Sequence, residues 1–319
     1  MQTGSTVKKS SNGSVNKHAL AKWLRNHQDD HGAEVASARL AWSELEGQAR
    51  LLRDLVGLTQ VRPSVLVTSQ VSGRWSTTDP PLGGLKTKVL FKLCRPPAGH
   101  YWLSGDWQAV ESWLAALYSQ EQRDLVPLYE GYDLHCATAS DIFGEVITHD
   151  DPRRQLAKTT RYNLQYAYDY RGILDAKDLG IFGGRDAALA FAQRYVDSRP
   201  SLQAAKQRVF HDSVRTGESR SAFGRLRRLT GDERTRAKDG WSQVIQGTVS
   251  SMMNKSIVRI CTELGGLIVF NRHDGAVFQF PVTRDVYETY AACERIFRGP
   301  WPVWGNSFSA PSDWHVETA

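Results

Sequence analysis

The stretch Tyr101-Trp102-Leu103-Ser104-Gly105-Asp106 decides the fold: a short apolar, aromatic-rich run that ends on a carboxylate. Set off by Pro96 and Pro97, it reads as a β-strand with Asp106 at its end. A second run far downstream has the same shape. Leu267-Ile268-Val269-Phe270-Asn271-Arg272-His273-Asp274 is an apolar strand running into an aspartate, and Ala276-Val277-Phe278-Gln279-Phe280 returns, so residues 266–281 read as a β-hairpin turning at His273-Asp274-Gly275. Each aspartate also has an ordinary structural role open to it. Asp106 could cap the helix that follows, and Asp274 could be a turn former ahead of Gly275. Spacing alone does not bring the two together.

Between them, Arg154, Lys158, Tyr162 and Tyr166 recur every fourth residue. Asp151 supplies a cap and Pro152 a first helical residue, so a helix is expected over residues 152–167. Steps of four residues advance about 400°, so the four side chains form one slanted stripe. The two cations lie near the N-terminal end, where the helix dipole also favours anions, and a triphosphate would be held there. The two tyrosines could stack on a sugar–base unit and a neighbouring base, at ~1–3 kcal/mol per base. The plainer alternative is a solvated basic edge running into a core-facing aromatic pair, although cations near a helix N-terminus slightly oppose the dipole. Two carboxylates that hold metal ions about 3.5–4 Å apart, with a basic-then-aromatic helix face, are what transferring a nucleotide onto a nucleic-acid end requires.

The rest of the chain is compatible with that chemistry. Hydrophobic residues at 41% and charged residues at 23% are ordinary for a soluble globular protein, and 319 residues allow one large or two medium domains. The balance of 40 Lys+Arg against 34 Asp+Glu leaves +6, which suits a polyanion but is weak evidence alone. Residues 1–16 are polar and lack the apolar core of a signal peptide, and no apolar run approaches the ~20 residues of a membrane span. Cys94, Cys136, Cys261 and Cys293 are scattered with no C-x-x-C pair, which argues against disulfides and zinc and for a reducing, cytoplasmic setting. Helical periodicity is expected over residues 18–55, 109–117, 185–197, 201–215 and 241–261, with a breaker-rich loop over 73–84. The class is mixed α and β, with strands at both ends and helices between.

In this order the residues resemble those of family A DNA polymerases, the bacterial polymerase I and phage replicative group. The resemblance runs from about Val65 to the C-terminus, with weaker similarity back to about residue 8. Gly73-Arg74-Trp75-Ser76-Thr77-Thr78-Asp79-Pro80 is similar to the family's Gly-Arg-Leu-Ser-Ser-x-x-Pro segment, and Gly105-Asp106-Trp107-Gln108-Ala109-Val110-Glu111 to motif A. Gly131-Tyr132-Asp133-Leu134-His135-Cys136-Ala137-Thr138-Ala139 is similar to an Asp-Ile-His-x-x-Thr-Ala segment, the stripe to motif B, and Gln246-Gly247-Thr248 and His273-Asp274 to two later elements. Any one is a weak signal; six in order make chance unlikely.

The resemblance implies an α+β right-hand fold: a palm with an antiparallel sheet and helices, helical fingers and a truncated thumb. Its parts would be a partial thumb over 1–60, palm over 61–118 and 236–319, and fingers over 119–235. It implies template-directed addition of deoxynucleotides to a primer 3′ end, in replication or repair. Asp106 and Asp274 would hold two Mg²⁺ ions (Mn²⁺ as a substitute), with the Trp107 carbonyl as a further ligand. Arg154, Lys158 and His135 would contact the triphosphate. Glu111 would block a 2′-hydroxyl, Tyr162 would pack on the sugar and base, and Tyr166 would exclude the next template base. Arg74, Gln246 and His273 would touch the primer–template. For three of these a plain alternative stands: a core histidine at His135, a solvated helix residue at Glu111, a loop ion-pair partner at Arg74.

The chain also departs from the family pattern. Gly275 stands where a glutamate follows the His-Asp, Asn163 and Ala167 replace glycines after the motif B aromatics, and Ala109 replaces a polar glutamine. A triphosphate-contacting arginine expected before motif A has no clear counterpart, Leu90 falling nearest with Lys88 as a substitute. The short stretch ahead of motif A is expected to lack a full thumb and a proofreading exonuclease. A second polypeptide or a processivity factor would supply them, or a compact enzyme would work with low processivity. The expected partners are therefore primer–template DNA, dNTPs and, for a split enzyme, such a second chain, with no membrane, in a bacterial or phage-infected cell. The rivals are a single-subunit RNA polymerase and a non-catalytic primer–template-binding subunit.

Overall fold

The structure, a computed structural model, describes residue 20 and residues 33–67, 70–82, 87–175, 179–272 and 274–318. The first half comprises α1 (Ala33–Leu55), β1 (Ser64–Leu66), β2 (Ser76–Thr78), α2 (Thr87–Leu93), β3 (His100–Trp107), α3 (Val110–Ser119), α4 (Gln122–Tyr129), α5 (Leu134–Phe143) and α6 (Arg153–Tyr166). The second half comprises α7 (Arg185–Asp197), α8 (Pro200–Thr216), β4 (Glu218–Arg220), β5 (Leu226–Arg228), α9 (Glu233–Leu264), β6 (Leu267–Arg272), β7 (Gly275–Pro281), α10 (Val286–Arg298), β8 (Trp301–Val303), β9 (Asn306–Phe308) and β10 (Ser312–Thr318).

A four-stranded antiparallel sheet, ordered β10-β3-β7-β6, positions the site. Successive strand residues face opposite sides, so β3 divides its sequence between two environments. Tyr101, Leu103 and Trp107 join Ala276, Phe278, Phe280 and Trp314 in the main core against α9 and α10. Trp102 faces the other way and packs with Phe270, Val277 and α1 residues Leu51 and Leu55. Each large apolar side chain fully buried here contributes roughly 1.5–3 kcal/mol. By the same alternation Asp106 lies on the side away from α9 and α10. A bulge between Ile268 and Phe270 re-phases β6, so that Ile268 packs on the main core and Phe270 on the second cluster. Gly105 lies opposite Trp314 on β10, and a Cβ there would come within 2.5 Å of the indole.

The central helix α9 starts ahead of the expected residue 241. Asp232 caps it by accepting the Thr235 N–H at 2.8 Å, and Gly265 ends it in the left-handed region at φ 65. Its first turn is polar, so apolar periodicity alone could not mark the start. Pro152, expected as the first helical residue of α6, stands instead just before it, and the Asp151 carboxylate accepts the Arg153 N–H at 2.8 Å. The expected loop over 73–84 contains β2, which pairs with β1. Of the helix expected over 18–55, residues 33–55 are helical; most of the earlier part lies outside the described residues.

Helices α5, α6 and α7 and the segment joining α6 to α7 pack around a separate cluster of Leu164, Ile173, Phe191 and Tyr195. At its base, Asp124 accepts Arg161 Nη2 at 2.8 Å and Arg199 Nε at 3.0 Å, with all three residues no more than 4% exposed. Burial alone would raise the Asp124 carboxyl, but the two guanidiniums more than offset it and hold it below the usual range. The stabilisation is therefore present above the unfolded carboxylate value of about 4 and is lost as pH falls through the lower folded value. Asp124→Asn strands two buried guanidiniums and is expected to lose about 3–5 kcal/mol in urea unfolding at neutral pH.

Candidate active site

β3 and β7 run in register with Asp106 opposite Gly275, and the Trp107 N–H donates to the Asp274 carbonyl at 3.0 Å. Asp106 at the end of β3 thus adjoins, across the pairing, the turn that carries Asp274, though the two are distant in sequence. Asp106 does not cap α3: that helix begins after Ala109, whose φ is 48 and which makes no side-chain cap bond. A left-handed alanine costs roughly 1–2 kcal/mol, a strain set three residues from the carboxylate. Asp274 does stand in the two-residue turn between β6 and β7, so its turn role and its place beside Asp106 coexist.

A cleft of about 740 Å³ opens over this pair, with Lys92 and Arg95 on one wall and His315 and Glu317 on another. Asp313 of β10 lies directly across from Asp106 and accepts Gln108 Nε2 at 2.6 Å. Position 275 is tight: a Cβ there would fall 2.7 Å from Asp106 Oδ1 and 3.2 Å from the Gly105 carbonyl. The glycine that replaces the family's glutamate is thus the residue that leaves room for the Asp106 carboxylate as placed.

The donor set that this cleft offers a divalent cation is the Asp106 carboxylate at a strand end, the Asp274 carboxylate in the adjoining turn and the Trp107 backbone carbonyl. Burial raises the Asp274 carboxyl and the charge of Glu111 adds to the rise, while Arg74 and Lys158 oppose it. Asp274 is thus an acidic group kept in surroundings that disfavour bare charge, which fits a cation whose field would reverse that bias, while Asp106 beside it is exposed. Among the described residues no group of three or more His, Cys, Asp or Glu is arranged to hold a metal ion.

Glu111 is 8% exposed rather than solvated. Its Oε1 accepts Arg74 Nη2, its Oε2 accepts the Tyr166 hydroxyl at 2.5 Å, and its carbonyl accepts Gln165 Nε2 at 3.4 Å. Arg74 is therefore an ion-pair partner from the loop ahead of β2, as its plainer reading had it, and it ties that loop to α3 and α6. Arg225, from the β4–β5 connection, packs on Gly73 so closely that a Cβ there would lie 1.9 Å from its Nη1.

Arg154, Lys158, Tyr162 and Tyr166 are all half-buried, while Ala157, Arg161, Leu164 and Gln165 are buried. Arg154 Nε donates to Asp133 at 2.7 Å, and Asp133 also caps α5 through the N–H groups of His135 and Cys136. Burial is the main cause that lowers His135 to about 3; Asp133 opposes it, and Arg161, Lys158 and Arg154 push the same way. His135 is thus a neutral buried histidine, yet its Nδ1 has no hydrogen-bond partner among the described residues and its ring lies 5.7 Å from that of Tyr162. Burial, then Glu111 and Asp274, push the Tyr162 phenol up, so it stays protonated.

Eight expected residues therefore share one region: Asp106, Asp274 and Trp107 at the strand ends, Glu111 with Arg74 and Tyr166, and His135 with Tyr162. Lys158 joins them through its field at both Asp274 and His135, and Arg154 through its field at His135. Gln246, half-buried on α9, accepts the Ser242 hydroxyl at 2.8 Å and makes no recorded contact with that group. His273 and the side chain of Lys88 lie outside the described residues. The sequence reading gave no role to Asp313, Asp133 or Arg225: the pairing that sets Asp313 across from Asp106, the tie from Asp133 to Arg154 and the packing of Arg225 on Gly73 are long-range contacts that no local pattern encodes.

The family pattern of DNA polymerase family A matches residues 2–296. A thermostable DNA polymerase I from Thermus thermophilus is 27% identical over 254 residues, 74% of this chain and 30% of that protein. A DNA polymerase of Mycobacterium phage D29 is 28% identical over 162 residues, 51% of this chain and 26% of that protein. In three dimensions, the polymerase domain of Pol1 from M. smegmatis, solved with DNA primer–template and dNTP, superimposes with a TM-score of 0.76 at 17% identity, covering 98% of this chain and 57% of that one. The chain thus spans about a third of the length of the curated relatives it matches.

Proposed function

As the chain belongs to DNA polymerase family A, we propose that it adds deoxynucleotides to a primer 3′ end under the direction of a template strand. The observation that carries this reading is that Asp106, at the end of β3, and Asp274, in the turn ahead of β7, line one cleft, with Lys158 and Tyr162 of α6 within electrostatic reach of Asp274. Residues 61–118 and 236–319 then form the palm, 119–235 the fingers, and 1–60 a thumb-like segment.

The roles follow from the surroundings. Lys158 has no ion pair among the described residues and receives the triphosphate, with Arg154 sharing its contact to Asp133. His135, uncharged, offers Nδ1 as a hydrogen-bonding atom rather than a charge. Tyr162 packs its neutral ring against the sugar and base. Glu111, fixed by Arg74 and Tyr166, presents a rigid wall where a 2′-hydroxyl would project. Held by Asp106, Asp274 and the Trp107 carbonyl, two magnesium ions would supply charge stabilisation at the attacking and leaving oxygens. Arg74 and Gln246 are the contacts proposed for the primer–template, and His273 joins them by resemblance alone. The setting proposed is the cytoplasm; no described helix is long and apolar enough to cross a membrane.

Primer extension by the purified chain with Mg²⁺, offering dNTPs and rNTPs separately, tests the reading. Incorporation of dNTPs with strong preference over rNTPs is expected. Preference for rNTPs would favour an RNA polymerase-like enzyme. Gly275 in place of a carboxylate after Asp274 favours a second reading, a chain that binds primer–template without turnover. Salt-sensitive binding with no incorporation would establish that one.

Gly275→Ala offers a finer test. Its Cβ must displace the Asp106 carboxylate, and displacements of this size at a reacting centre cost roughly tenfold or more. Single-nucleotide incorporation is expected to fall by about that factor, with the melting temperature unchanged.

A further inference from the structure

Helix α6 ends at Ala167, whose backbone is extended at φ −64 and ψ 147, so its last carbonyls must find partners outside the helix. The Asn163 carbonyl takes the Ala167 N–H at 2.9 Å. The Gln165 carbonyl takes the indole Nε1 of Trp241 on α9 at 3.0 Å, and the Leu164 carbonyl takes Nζ of Lys206 on α8 at 3.1 Å. Trp241 is fully buried and Lys206 is 3% exposed.

Among the described residues, Asp169 is the one acidic group whose charge acts on Lys206. Its buried companions on α8 are Leu202, Ala205, Val209, Phe210 and Ser213, and its Nζ lies 5.8 Å from the Phe210 ring centre. Burial pulls its amine down to about 8, with Asp169 opposing from the segment after α6. An apolar side chain would fill the position without that penalty. What the ammonium gains is the exposed carbonyl end of α6, where a positive charge is favoured by the helix dipole.

We infer that Lys206 is a positioning residue for the nucleotide-receiving face, fixing the C-terminal turn of α6 that carries Tyr166 and, one turn earlier, Tyr162. The inference rests on the reading of α6 as the nucleotide-binding helix. Trp241 holds the adjacent carbonyl, so the two donors together form a pivot at one end of α6, while Arg154 and Asp133 tether the other.

The test is Lys206→Met in the full chain, an apolar replacement of similar length. Amide hydrogen exchange of the free protein is expected to quicken about fivefold in the segment 160–168 and to stay unchanged elsewhere, as loss of one charge-assisted hydrogen bond implies. The melting temperature is expected to hold or rise, since a buried charge has been removed. In single-nucleotide incorporation the KM for dNTP should rise roughly five- to tenfold with kcat within about twofold. Unchanged exchange in that segment, unchanged KM, or a lowered melting temperature with faster exchange throughout would overturn the inference. Should the wild-type chain incorporate nothing, the polymerase reading fails, and the exchange result alone still decides whether Lys206 holds α6.

Discussion

Asparagine at position 106 or 274 is expected to lower primer extension at least about a thousandfold, roughly 4 kcal/mol of transition-state stabilisation, while primer–template binding persists. The substitution conserves shape and removes one negative charge from a pair that adjoins across β3 and β7. Either loss leaves one of the two aspartates, and Asp313, across from Asp106, already accepts Gln108 Nε2. Stability separates this from simple damage. Burial raises the Asp274 carboxyl and Glu111 adds to it, so the ionised form is disfavoured in the folded state and Asp274→Asn should hold or raise the melting temperature without metal. An inactive variant as stable as the parent, with intact DNA affinity, would place the loss in chemistry. Full activity in both variants would reject the site.

The second large effect is expected at Glu111. Its carboxylate is the shared acceptor for Arg74 and the Tyr166 hydroxyl, which fixes its position more firmly than a solvated helix residue could be. Glu111→Ala removes the wall and both bonds. Discrimination against rNTPs should fall by about 10- to 100-fold, corresponding to roughly 1.5–3 kcal/mol, read as the ratio of kcat/KM values. Stability should fall too, by about 1–3 kcal/mol, because Arg74 Nη2 and the Tyr166 hydroxyl lose their partner. Glu111→Gln keeps the bulk and an acceptor for Tyr166, so it should retain most of the discrimination while weakening the hold on Arg74. Equal discrimination in the alanine variant and the parent would remove Glu111 from sugar selection.

Much of this was legible in the sequence because the decisive patterns are local. Alternation in residues 101–107 tells which side of the strand each residue takes, and an Asp-Gly turn between apolar runs announces the β6–β7 hairpin. The four-residue stripe marked one slanted face of α6, and the structure leaves those four side chains half-buried beside a buried row. What escaped is non-local or masked by polar residues. β10 joins β3 from the far end of the chain, so the position of Asp313 across from Asp106 had no sequence signal. The first turns of α9 are charged, so periodicity begins only where burial does. The ties from Arg154 to Asp133 and from Lys206 to the Leu164 carbonyl depend on how helices pack, and a buried lysine among apolar residues reads on sequence as an exposed one.

The juxtaposition of the two aspartates can be tested without any turnover. Replacing Mg²⁺ by Fe²⁺ and adding hydrogen peroxide, which the iron reduces to hydroxide and hydroxyl radical while ascorbate returns Fe³⁺ to Fe²⁺, cuts the backbone beside the ligands of the bound ion. Two cuts are expected in the same protein, one beside Asp106 and one beside Asp274, both suppressed by excess Mg²⁺ and both lost in either asparagine variant. Cutting at one aspartate only, or at neither, would contradict a shared cation site.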